Sequence, residues 1–304
     1  FLFCCWLLSL GALVGLGYWQ RWYCDEWTIA LLWREQSWGH FIGIWLSQFT
    51  GRYALVSFYP VLPLGGQVLT QMLPLMTALF LAGSWSWALS RWARMLRIQD
   101  PNRFGAVLGL GLTTVLLWGC PNPLQSLLWG PGAMTYLWPL GFTGLLVGEC
   151  LGRQGHVGWG GRIRSLFWLF LAAGFHEAWA LLLLCGLVLW LLGTGSGWWN
   201  QRSECRRVWD GAMFAVGILS LGIHLAVPGN WARSAQLGGE RPLAAVGKGL
   251  VQFFLNGSGL NWRFLALLLL LLPLLRALET PRGRDMVGRW SPRLLLLPLG
   301  GALL

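Results

Sequence analysis

Charge is what this sequence has least of. Only 11% of its 304 residues are Asp, Glu, Lys or Arg, against about 25% in soluble domains, which excludes an ordinary water-soluble enzyme. The 56% hydrophobic content excludes a disordered chain as well. Lysine is nearly missing: Lys248 is the single copy among 22 basic residues, and the rest are Arg. The seven cysteines form no C-x-x-C pair and no metal-ligand spacing. Most of them lie in or beside apolar runs, where a thiol behaves as a small hydrophobe, so they carry no message about redox compartment. There is no G-x-x-x-x-G-K-[ST] loop, no H-E-x-x-H helix, no G-x-S-x-G elbow and no inverted repeat. P-loop, zincin-type and α/β-hydrolase chemistry are excluded with them.

What the sequence does contain is Trp, in 23 copies, and long uncharged stretches. A spanning helix needs roughly 20 mostly apolar residues. Candidate spans fall at 1–19, 62–90, 104–120, 133–151, 165–192, 209–227, 263–278 and from 294 onward. The expected fold class is all-α, a polytopic transmembrane helix bundle of about eight to nine membrane segments, some short or broken. Residues 1–19 lack the basic n-region and small-residue cleavage site of a signal peptide and read as a retained first helix. The chain begins at Phe1 and ends at Leu304 inside an apolar run, as a piece of a longer protein would.

The loops between these stretches are uneven in charge. Segments 91–103, 152–164, 193–208 and 276–293 hold 15 of the 22 basic residues. The positive-inside rule assigns all four to the cytoplasm. Residues 1–304 then form a single transmembrane domain. In it, 20–61 is the first extracytoplasmic loop, with interfacial helices, and 228–262 is a later one. Because 165–192 joins two cytoplasmic segments, the chain must cross an even number of times there. Its 28 residues are too few for two full spans. Two half-depth helices turning near Gly174–Glu177 satisfy the count; the alternative is one long tilted helix with a neighbouring loop outside.

With this orientation the unusual polar residues fall on the outer face. Asp25 and Glu26 follow the first span; adjacent carboxylates suit a divalent cation such as Mg or Mn, or general-base work by one of them, or merely a helix end. Residues 27–46 place Trp and apolar side chains at helical spacing, the pattern of an interfacial helix pair. Arg52, in Gly51-Arg52-Tyr53, suits bidentate phosphate binding or snorkelling. Trp129 to Pro139, with Tyr136, forms a Gly/Pro turn whose helix N-terminus offers N–H groups to an anion, or a tight loop. His176-Glu177 is an ionisable pair inside an apolar stretch, which marks a site by default, or caps a half-helix. Glu149 also sits in an apolar run, but near its cytoplasmic end, where it is expected to reach water. Asn230 and Arg233, in Pro228-Gly229-Asn230-Trp231-Ala232-Arg233, add amide and guanidinium donors. His224, one turn earlier, suits helix packing. The basic excess beside apolar runs reads as topology and contact with membrane lipids, and nucleic acid is not an expected partner.

The order of these motifs resembles the opening of GT-C-type membrane glycosyltransferases and of a bacterial multi-pass family related to them, over about residues 1–235. The resemblance implies a GT-C-like bundle in a bacterial-type plasma membrane that takes a sugar from a polyprenyl-phosphate-linked donor at the extracytoplasmic face, with inversion. It implies Asp25 as general base or metal ligand, supported by Glu26. It further implies Arg52 and Arg233 on the donor phosphate, with Tyr136, His176, Glu177 and Asn230 lining the pocket. The Asp-Glu pair departs from the Asp-x-Asp of many members. A transporter or flippase for a lipid-linked substrate, and a non-catalytic membrane scaffold, are the competing readings.

Overall fold

The computed structural model describes residues 2–22, 25–118, 120, 122, 124–151, 159–193 and 204–236. Among the described residues the regular elements are all helical. The expected spans beyond 236, at 263–278 and from 294, lie outside them, as does the rest of 228–262. The chain opens with α1 (Leu2–Gly15) and a 3₁₀ turn (Leu16–Trp19). The stretch 20–61 is mostly helix: α2 (Asp25–Glu35), α3 (Trp38–Gln48) and α4 (Tyr53–Phe58) occupy it. The longest element, α5 (Val61–Met95), runs through a kink at Gly66, whose φ of 56° and ψ of −151° are open to glycine and costly for other residues. After α6 (Pro101–Trp118) comes a π-helical turn (Leu124–Leu128). Then α7 (Gly130–Gly132), a second π-helical turn (Ala133–Leu137) and α8 (Trp138–Leu151) follow one another without a break. The remaining helices are α9 (Trp159–Gly174), α10 (Glu177–Gly193), α11 (Glu204–Ala226) and α12 (Pro228–Gln236).

Side-chain pairings fix the directions of these helices. Phe104 at the start of α6 meets Trp92 near the end of α5, their centroids 6.4 Å apart, so the two are antiparallel. Small residues allow that close approach: a methyl on Gly109 would clash with the Ser86 backbone. α8 runs parallel to α5, since Trp138 Nε1 donates to Thr77 Oγ1 at 3.1 Å and Arg91 reaches Glu149 at 3.9 Å. α9 returns: Arg164 meets Glu149 at its start, and Phe175 stacks on Phe142 at 5.5 Å after its end. α11 runs along α9, with His224 at Ala173 and Ser220 bridged through Tyr53 to Phe170. Leu184 and Leu187 of α10 lie against Gly217 of α11, and α10 packs on both α9 and α11.

The break between α9 and α10 falls at Phe175 and His176, near Gly174–Glu177 where the broken-helix reading of 165–192 expects a turn. The helices are longer than half-depth, 16 and 17 residues, because α9 already begins at Trp159 in the segment read as a loop. Two helices, Val61–Met95 and Val208–Ala226, are long and apolar enough to cross a membrane by length and composition; Leu7–Trp19 and Glu177–Val188 are shorter apolar helices. An aromatic-rich core built on Phe41, Tyr59, Phe142 and Phe175 supports the end of the bundle where α8, α10 and α12 begin. At the other end Glu149 does not reach water. It is 5% exposed and held by Arg164 Nε at 2.8 Å and Arg91 Nη1 at 3.9 Å, because a carboxylate between three packed helices must be paired.

Candidate functional site

All the polar motifs singled out in the sequence meet at the end of the bundle opposite Glu149. The tie that builds this end joins two segments far apart in the chain. Gly51 N–H donates to Asn230 Oδ1 at 2.8 Å, and Asn230 Nδ2 donates to the His224 carbonyl at 2.6 Å. Only a glycine permits this: a Cβ on Gly51 would sit 2.6 Å from Asn230 Nδ2 and 2.9 Å from the His224 oxygen. Asn230 is therefore a clamp between the α3–α4 connection and α12. Both faces of its amide are occupied by backbone.

The clamp presents Arg52. Its Nε and Nη2 form a bidentate pair with Glu177, at 2.9 Å and 3.1 Å, the geometry that suits a planar guanidinium to a carboxylate. Glu177 opens α10, where the helix dipole also favours negative charge. Beside it, His176 accepts the Ala178 N–H through Nδ1 at 3.1 Å and caps the helix. Burial, foremost, and then the charge of Arg52 lower the His176 pKa to about 4, while Glu177 opposes the shift. The ring is consequently neutral at pH 7, as an acceptor at Nδ1 must be. Tyr136, 45% exposed, lies over it at 5.9 Å between centroids.

The acidic pair divides. Asp25 is exposed at the first residue of α2, whereas Glu26 is buried and accepts the Gly130 N–H through Oε1 at 3.0 Å. Successive helical residues point about 100° apart, which separates the two carboxylates. The anion that the Gly130 turn takes is thus the chain's own Glu26. Among the described residues no group of three or more His, Cys, Asp or Glu is placed to hold a metal ion.

Tyr59 is a site residue that the sequence motifs do not reveal. Its ring is buried against Trp45 at 4.9 Å. Burial raises the phenol above its ordinary pKa, and Arg52, Asp25, Arg233 and Tyr136 all act on it electrostatically. One phenol thereby senses residues from α2, the α3–α4 connection, the turn before α8, and α12. Its only sequence signal is a Tyr-Pro step between two helices. Tyr53 is structural: its hydroxyl donates to the Phe170 carbonyl at 2.7 Å and lies 3.1 Å from Ser220 Oγ.

The site therefore combines an exposed carboxylate, a paired guanidinium, an exposed Arg233, a neutral imidazole and a buried phenol. That set can accept a proton at Asp25 and offer hydrogen-bond donors to an anion nearby. Comparison of the chain with protein-family models, with curated proteins and with solved structures finds no match in any of the three.

Proposed function

We propose that the chain is a polytopic integral membrane protein of GT-C-like character. It would transfer a sugar from a polyprenyl-phosphate-linked donor to an acceptor hydroxyl at the extracytoplasmic face. The observation that carries the proposal is that Arg52, paired with Glu177, acts together with Asp25, Tyr136 and Arg233 on the buried Tyr59, at the end opposite Glu149. Exposed aromatics support the membrane placement: Tyr18, Trp19, Trp27, Trp38 and Trp231 all lie on elements at the site end and are each more than half exposed. Side chains of this type favour the headgroup level. Among the described residues α5, α6, α8 and α9 alternate in direction, which supports this reading.

In the proposed reaction Asp25 takes the proton of the acceptor hydroxyl as its oxygen bonds to the anomeric carbon. The bond from that carbon to the phosphate oxygen breaks, and the electron pair leaves with polyprenyl phosphate. Attack opposite the leaving group inverts the anomeric centre. Arg233 and the Nη1 edge of Arg52 supply donors where the phosphate charge develops. Asp25→Asn keeps the size of the side chain but removes the base. It should lower transfer from a polyprenyl-phosphate sugar by about 10²-fold or more, the usual scale of a general base, with unchanged membrane insertion. Full transfer by the variant would remove Asp25 from the mechanism.

A further inference from the structure

The buried carboxylate at the far end of the bundle has no part in the proposed reaction, and its surroundings have the features of a second binding site. Glu149 is a single acid gripped by two guanidinium groups from different helices, Arg91 of α5 and Arg164 of α9. One carboxylate cannot neutralise two cations, so the cluster keeps a net positive charge. It is also held rigidly. Arg91 packs its guanidinium over the Trp87 ring, 4.3 Å from the centroid, while Arg164, whose Nε meets Glu149, has a side chain that is 57% exposed. Nearby on α9 the Arg162 guanidinium lies over the Trp159 ring at 5.5 Å.

An apolar track starts at the same place. Trp159, Ile163 and Phe167 repeat every fourth residue along α9 and are 77%, 62% and 50% exposed, which places them on one face. Arg162 and Arg164 flank that face on its two sides. A soluble anion would use the cations and leave the track bare. A phospholipid uses both, with its phosphate at the guanidinium groups and an acyl chain along the track, and its negative charge matches the surplus. We propose that this end of the bundle binds an anionic phospholipid, with the headgroup phosphate at the exposed guanidinium of Arg164 and Glu149 as the buried post that aims it. The inference rests on the membrane placement argued above and is independent of glycosyl transfer.

The test uses the full chain in detergent micelles, equilibrated with equal amounts of phosphatidylglycerol and phosphatidylcholine, with bound lipid counted by native mass spectrometry. The wild type should retain phosphatidylglycerol selectively. Arg164→Gln, with its helical content checked by circular dichroism, should reduce that retention about ten-fold, the size expected for losing one charged hydrogen bond. Glu149→Gln is the sharper variant. A diffuse positive surface would hold the anionic lipid more tightly once a negative charge is removed, whereas an aimed site loses it. Unchanged or increased retention in Glu149→Gln, with unchanged retention in Arg164→Gln, would overturn the proposal. So would displacement of the lipid by glycerol 3-phosphate at equal concentration, which would make the site one for soluble phosphates. Flotation with phosphatidylglycerol vesicles separates the two failures. A chain that floats without selecting the lipid refutes the site alone, and one that does not float refutes the membrane placement too.

Discussion

Asn230 is the residue whose assignment changes most between sequence and structure, and Asn230→Asp isolates the difference. The substitution is nearly isosteric. One carboxylate oxygen still accepts the Gly51 N–H, but the other replaces the amide that donates to the His224 carbonyl across 2.6 Å. A hydrogen bond worth about 1 kcal/mol is lost, and a carbonyl left facing another acceptor adds about 1–3 kcal/mol. The sum is about 2–4 kcal/mol, which for a chain of this size lowers the unfolding temperature by roughly 3–6 °C. Thermal unfolding in a fixed detergent reads this directly. The pH gives a second signature. As the introduced carboxyl protonates near its ordinary value of about 3.9, it regains a donor, and the gap between variant and wild type should narrow. Asn230→Ala leaves both backbone groups without their partner and should show no such narrowing. An Asn230→Asp protein that unfolds at the wild-type temperature, but binds the proposed polyprenyl-phosphate donor more weakly, would make Asn230 a ligand contact and refute the clamp.

Three further outcomes follow from the same geometry. Glu177→Gln leaves the Arg52 guanidinium without its counter-charge at a site only 15% exposed. It should cost about 1–3 kcal/mol after allowance for solvent, part of which Arg52→Gln in the same chain restores in a double-mutant cycle. Acid should weaken the α9–α10 turn. The folded His176 pKa of about 4 lies below its ordinary 6.5, so the unfolded chain takes the proton first. Stability falls as pH drops from about 6.5 to about 4 and levels off below, by at most about 3 kcal/mol. His176→Asn, which keeps a capping side chain, should flatten that slope in denaturant titrations. Glu26→Gln retains an oxygen for the Gly130 N–H and should keep most of the transfer activity that Asp25→Asn loses; the opposite result would move the base to Glu26.

The helical class and the helix break within 165–192 were legible because each rests on a coarse quantity, apolar length in one case and the sign of loop charge in the other. The break itself was marked by Gly174 and by His176-Glu177, polar residues that no uninterrupted apolar helix would carry. Side-chain partners were not legible. Nothing in the local sequence distinguishes Glu149, buried between Arg91 and Arg164, from a carboxylate that reaches water at a helix end. Glu26 likewise has the same neighbours in sequence as Asp25, and only the approach of Gly130, 104 residues later, buries one and leaves the other exposed. Tyr59 was missed for a related reason: a lone aromatic before a proline has no pattern, and its importance comes from what four other segments bring to it.

The scarcity of acids also bears on which residue can act as the base. Glu26, Glu149 and Glu177 each lie in or beside an apolar helix, and each is bound to a specific donor: the Gly130 N–H, Arg164 and Arg52. A carboxylate fixed in this way is a poor base, because taking up a proton weakens the contact that holds two helices together. Asp25 has the opposite placement. It stands exposed on the first turn of α2, near enough to Tyr59 for its charge to be felt there, and protonating it breaks no tie described in the bundle. The same few acids that pin the helices thus leave Asp25, on the first turn of α2, as an exposed carboxylate beside Tyr59.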